Sequence, residues 1–230
     1  MALETRPPMS PEADPQAVAL LAGLALLSAV VLVWRGPGAS PRAPLVLQGA
    51  ALSGLVLLAG LVDRDPRVVI AALLAFVLKA VVLPALVDRG GDAVGPGRPV
   101  DRGRSPARSL LLVAGLVVLG YVVARPLGAI VPGPAGRAVA AGMALLLVGF
   151  LLLVTGDRVR AQLVGFLTLD NGISTTALLA AGGVPLVVEI GVSLDLLLVV
   201  LVLRVLAERV TLAFGGSDPG SVRELREVRD

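Results

Sequence analysis

The sequence predicts an all-α fold, a polytopic membrane helix bundle of about seven transmembrane helices. Three observations carry that prediction. Of the 230 residues, 56% are hydrophobic and only 16% charged, well outside the composition of a soluble domain. The apolar share comes from Leu, Val and Ala, with aromatics at 3%, which suits helices packed in lipid more than ligand cages. Polar clusters then cut the chain into seven apolar runs, most of them near the roughly 20 residues that span about 30 Å of hydrocarbon.

The first run, 17–34, follows a polar tail (1–16) holding Glu4, Arg6, Glu12 and Asp14, which lacks the basic start of a secretory signal. The second (45–62) and third (68–87) are joined by the short turn Asp63-Arg64-Asp65-Pro66-Arg67, so they are expected as antiparallel neighbours. These three make a first bundle, 17–87. Residues 88–108 are rich in Arg, Gly and Pro and too polar to bury, so they form the longest connecting loop. A second, four-helix bundle occupies 109–207. Its first span is short (109–123) and ends in a Pro/Gly connection through Pro126, Pro132 and Pro134; spans at 138–154, 161–181 and 184–207 follow. The fifth connection is the short basic loop Gly156-Asp157-Arg158-Val159-Arg160, the sixth is Gly182-Gly183, and 208–230 is a charged tail.

The chain has no Cys and no His, which removes thiolate nucleophiles, iron-sulfur and haem ligation, ordinary zinc sites and histidine acid/base chemistry. No cofactor is expected, and redox chemistry would belong to a partner. The net charge is +3, but the cations flank apolar runs and form no nucleic-acid patch interleaved with aromatics. All but one of the 20 basic residues are Arg, the bias of a GC-rich bacterial genome, which makes the lone Lys79 informative. Basic residues also set orientation, because positive connections stay cytoplasmic. The N-tail and even-numbered connections carry five and the odd-numbered connections with the C-terminal segment fourteen. The expectation is a multi-pass protein of the bacterial cytoplasmic membrane, N-terminus outside and C-terminus cytoplasmic.

Four ionisable residues fall inside the spans: Lys79, Asp170, Glu189 and Asp195. A charge near a span centre costs roughly 2.5 to 3.5 kcal/mol on insertion scales, so function is its default reading. On the sixth span Thr168, Asp170, Asn171, Ser174 and Thr175, stepped at about 100° per residue, fall within an arc of about 160°. Phe166, Leu169, Ile173 and Ala180 lie opposite. Hydroxyls and an amide around one carboxylate can hold water and pass protons; the bland alternative is interhelical hydrogen bonding, worth about 0.6 kcal/mol per contact. On the seventh span Glu189 and Asp195 are about 120° apart around the axis and address different neighbours. Asp195 matches the depth of Asp170, roughly 18 Å from the Gly182-Gly183 turn, whereas Glu189 lies nearer the outer surface, as a second relay station or an interfacial carboxylate. Lys79 precedes Pro84, whose missing N–H frees the carbonyl of Ala80 and predicts a kink. A buried Lys loses its proton readily, and its alternative role is a structural ion pair with an intramembrane carboxylate.

The run from Gln162 to Gly172, with Thr168-Leu169-Asp170-Asn171-Gly172 at its end, followed by Pro185-Leu186-Val187-Val188-Glu189-Ile190-Gly191 and Asp195, resembles the membrane subunit family called hydrogenase-4 component E. Lys79-Ala80-Val81-Val82-Leu83-Pro84 is similar to that family's Lys and Pro element, so the resemblance spans roughly 68–209. The family usually carries Glu before the Asn-Gly pair; Asp170 is one methylene shorter. The last three spans also resemble the small three-helix subunit of complex I, in which a cytoplasmic loop precedes a helix with an intramembrane acid and the next helix carries another. Arg158, Arg160 and Asp170 fill three of those places; Glu189 matches the second acid by motif and Asp195 by depth.

The resemblance implies a non-catalytic subunit of a complex-I-like respiratory or hydrogenase assembly. Its neighbours would be antiporter-like and other membrane subunits, with hydrophilic redox subunits acting indirectly. Lys79, Asp170, Glu189 and Asp195 would be proton-relay groups, Thr168, Asn171, Ser174 and Thr175 supporting polar residues, and Arg158 and Arg160 cytoplasmic loop residues for tuning or docking. Two alternatives stand beside it. A structural subunit would use the same charges as ion pairs, so neutralising Lys79 and Asp170 together would impair assembly but not turnover. A stand-alone ion transporter fits less well, because such folds are often internal repeats and the first and last three spans show none.

Overall fold

The computed structural model describes residues 14–36, 38–93, 105–131, 133–156 and 159–181, together with Leu197 and Val200. Among them the fold is all-α, and six helices are long and apolar enough to cross a membrane. The seventh predicted span, and with it Glu189 and Asp195, lies outside the described residues, as does Arg158.

Helix α1 (Pro15–Arg35) starts where Asp14 accepts a hydrogen bond from the Gln16 amide at 2.9 Å and Pro15 takes the first helical position, where its missing N–H costs nothing. It stops at Gly36, whose φ of 71° suits a residue without Cβ. Helix α2 (Arg42–Val62) is followed by a turn in which Asp65 accepts from the Arg67 amide at 2.9 Å. The third span then runs through α3 (Pro66–Ala75), a π-helical segment (Phe76–Val82) and α4 (Leu83–Ala93). The expected disturbance before Pro84 takes this form: the Leu83 amide reaches back five residues to Leu78, one more than an α-helix allows. Helicity continues past 88, into the stretch read from sequence as loop.

Helix α5 (Pro106–Ile130) differs from the short fourth span read from sequence, since it continues through Pro126 to Ile130. Proline inside a helix removes one hydrogen bond and crowds the preceding turn. Here Pro126 lies on the exposed side of the helix, as do Leu111, Val118 and Ile130, so its ring faces away from the packed contact with α6. Helices α6 (Pro134–Thr155) and α7 (Val159–Ala181) complete the described spans.

The two groups of helices on either side of the long connection share their core. One cluster joins Val18, Leu52 and Val56 to Val139 and Leu179; another joins Ala25, Ala29 and Ala51 to Val113, Leu145 and Val148. A third unites Leu45, Leu83 and Val87 with Val164 and Leu167, and Leu197 packs on it. Helices α6 and α7 lie closest of all. A Cβ added at Gly142 or Gly149 on α6, or at Gly165 or Gly172 on α7, would strike the backbone of the facing helix. Small residues permit such backbone approach where lipid offers no hydrophobic drive to association.

Candidate functional site

The polar half-face of α7 is turned inward. Thr168, Asp170, Asn171 and Thr175 are buried, while Phe166 and Ile173 on the opposite side are exposed. This is the arrangement expected from the helical period, with the apolar face left to lipid and the polar face to the bundle.

Lys79 meets that face from the π-helical segment. Its Nζ lies 2.6 Å from Asp170 Oδ2 and also donates to Ser174 Oγ at 3.3 Å. Both charged side chains are removed from water, with relative exposures of 1% for Lys79 and 8% for Asp170. The pair is therefore a buried, hydrogen-bonded ion pair joining two spans that are 91 residues apart in sequence. Asp170 lies ten residues from Arg160 and Lys79 nine from Asp88, so at 1.5 Å per residue the pair sits about 14 Å inside the ends of the apolar spans, near the middle of a 30 Å core.

A close contact with α2 fixes where Lys79 sits. Gly49 presses against the Lys79 carbonyl so tightly that a Cβ there would lie 2.5 Å from both the carbonyl carbon and its oxygen. Within the π-helical stretch Leu83 donates to Leu78, and the next residue, Pro84, has no N–H to offer the Lys79 carbonyl. Sequence reading had no signal for the π-helical register beyond Pro84 five residues after Lys79.

Gln48, beside Gly49, is the residue that the search for ionisable groups missed. It is fully buried, and its Oε1 accepts from Asn171 Nδ2 at 3.1 Å, while its Nε2 has no hydrogen-bond partner among the described residues. An amide inside an otherwise apolar span was the available signal. Three helices thus converge: α2 with Gln48, the third span with Lys79, and α7 with Asp170, Asn171 and Ser174.

The two threonines of the half-face spend their hydroxyl protons locally. Thr168 donates to the Val164 carbonyl at 2.8 Å and Thr175 to the Asn171 carbonyl at 2.7 Å, both within α7. Of the four supporting polar residues, Ser174 reaches Lys79 and Asn171 reaches Gln48.

Arg160 belongs to a second, shallower ion pair. Its Nη2 donates to Asp88 Oδ1 at 2.9 Å, and Ser40 Oγ donates to the same oxygen at 3.0 Å. The third span and α7 are therefore bridged twice with reversed polarity, cation to anion at mid-depth and anion to cation at the end. The first, third and fifth connections meet at this end of the bundle, as alternating spans require. Among the described residues no group of His, Cys, Asp and Glu is placed to hold a metal ion.

No family model matches the chain and no solved structure matches it significantly. Among curated proteins, uncharacterized protein Rv0085 of Mycobacterium tuberculosis strain H37Rv is 39% identical over 210 residues, covering 90% of this chain and 94% of that protein. The chain belongs to the Rv0085 family. Hydrogenase-4 component E of Escherichia coli K12 is 26% identical over 152 residues, 66% of this chain and 70% of that protein, and the protein of that name from Shigella flexneri matches equally. This member of the Rv0085 family is thus a distant homologue of hydrogenase-4 component E. Its apolar helices and that homology make it a membrane protein.

Proposed function

We propose that the chain is a membrane subunit of a complex-I-like respiratory or hydrogenase assembly, and that it contributes protonatable intramembrane groups to proton or sodium translocation driven by electron transfer in partner subunits. The observation that carries the proposal is the buried Lys79–Asp170 pair at mid-depth, on three converging polar helices of a distant hydrogenase-4 component E homologue. A proton delivered to Asp170 discharges its carboxylate and releases the Lys79 ammonium; a proton lost from Lys79 has the converse effect. Either event changes an attraction that low dielectric makes strong, so each coupled step alters both charge and packing between the third span and α7. Glu189 and Asp195 are proposed as further relay acids, and Gln48 with Asn171 as the polar wall of the path. Antiporter-like and other membrane subunits would flank it, in the cytoplasmic membrane of a bacterium with the basic-rich ends facing the cytoplasm.

The test is ion pumping in vesicles holding the assembled complex, with electron transfer measured in parallel. Asp170→Asn is expected to lower pumping per electron while assembly is preserved, and Asp170→Glu to retain it. Undiminished pumping in a fully assembled Asp170→Asn complex would overturn the proposal. One observation favours a structural role instead: the pair is closed at 2.6 Å and the nearby Thr168 and Thr175 hydroxyls are committed to their own helix. The double variant Lys79→Met/Asp170→Leu separates the two readings, since a structural pair replaced by apolar residues leaves pumping intact and a relay does not.

A further inference from the structure

A groove opens where α1 ends and α2 begins. Arg35, Ser40 and Arg42 form its polar end, and Ala43, Val46, Leu47 and Ala50 form its wall. The wall residues stand at i, i+3, i+4 and i+7, so they make one stripe about 10 Å long running from the helix end toward the bilayer interior. We propose that this groove binds one anionic phospholipid, its phosphate held by Arg35 and Arg42 and an acyl chain laid along the stripe.

Charge complementarity sets the headgroup class. Arg35 and Arg42 are both exposed, neither is ion-paired with any other described residue, and the acid nearest through Ser40 is Asp88, which Arg160 already neutralises. The groove is therefore net cationic at the depth where phosphates lie. Arg42 also opens a 21-residue helix, and although its own amide donates to Ser40 Oγ at 3.4 Å, the positive end of the helix dipole adds to the same field. The apolar stripe sets the source of the phosphate. Leu47 is 38% exposed beside the arginines, and a free inorganic anion would leave that surface uncovered. The groove is shallow and largely open, with about 590 Å³ of space, as suits a lipid lying along the surface.

The experiment is native mass spectrometry of the full chain in mild detergent, titrated with phosphatidylglycerol and with phosphatidylcholine. One phosphatidylglycerol is expected to be retained, at least about tenfold more tightly than phosphatidylcholine. Each of Arg35→Gln and Arg42→Gln weakens it about fivefold and the pair about 30-fold, the effect of surface arginines on anionic lipid. Arg64→Gln/Arg67→Gln, at the opposite end of α2, leaves it unchanged. Ala50→Phe obstructs the stripe while keeping both arginines and is expected to release the lipid. Equal binding of the two lipids, or equal loss in the Arg64/Arg67 control, would reduce the site to unspecific attraction and overturn the proposal. Displacement by millimolar inorganic phosphate together with an unaffected Ala50→Phe variant would make it a plain anion site and overturn it too. A failure of the double variant to fold leaves the two single variants as the readout.

Discussion

Replacing the two members of the buried pair one at a time and then together gives the sharpest test of the geometry. Lys79→Met leaves Asp170 without its cation, and Asp170→Leu leaves the Lys79 ammonium with the Ser174 hydroxyl, 3.3 Å away, in place of a carboxylate. Removing one partner of a buried pair costs about 3 to 5 kcal/mol, because the remaining charge must stay unpaired or change its protonation state. Removing both abolishes the desolvation penalty along with the attraction, and such replacements are often neutral or stabilising by about 1 to 4 kcal/mol. The sum of the singles should therefore exceed the double by at least about 6 kcal/mol, roughly ten-thousandfold or more in the folded-to-unfolded ratio. Equilibrium unfolding of the purified chain in mixed micelles, followed by circular dichroism, reads the whole cycle. Additive losses, with the double variant as unstable as the two singles summed, would refute the reasoning: they would mean that each charge interacts with something other than its partner.

Two other outcomes follow from the contacts around the pair. Gly49→Ala places a methyl against the Lys79 backbone and forces α2 away from the π-helical segment, with an expected loss of about 1 to 3 kcal/mol in the same unfolding assay; a loss no larger than that of Gly23→Ala, which faces open space, would contradict the close approach. Gln48→Leu removes an amide nitrogen that has no partner among the described residues along with the hydrogen bond to Asn171, so its net cost is expected below about 1 kcal/mol, while Asn171→Leu, which strands the whole Gln48 amide, costs more.

Hydropathy and period made the membrane bundle and its inward polar face legible in the sequence. Span length follows from composition, and the positions of Thr168, Asp170, Asn171 and Ser174 on one side of a helix follow from 3.6 residues per turn. Lys79 was recognisable because a lone lysine amid arginines, inside a span, demands a partner; which acid it takes depends on how the third span and α7 are rotated, which no local pattern encodes. Gln48 escaped because the search weighed charge, although a buried amide is subject to the same demand for partners. Pro126 was read as a terminator because proline breaks soluble helices, and a peripheral membrane helix tolerates it. The π-helical register of residues 76–82 is a redistribution of backbone hydrogen bonds, invisible to any reading of side-chain polarity.

The close backbone contact of α6 and α7 has a mechanical consequence. Four glycines let these helices touch over much of their length, leaving no side-chain layer in which one could slide or rotate against the other. The two helices are therefore expected to move as one unit, with Asp170 carried on it. On the other side Lys79 is backed by Gly49 of α2 through an equally close backbone contact. The spacing of the ion pair is therefore set by two glycine-mediated contacts, α6 against α7 behind the carboxylate and α2 against the π-helical segment behind the ammonium.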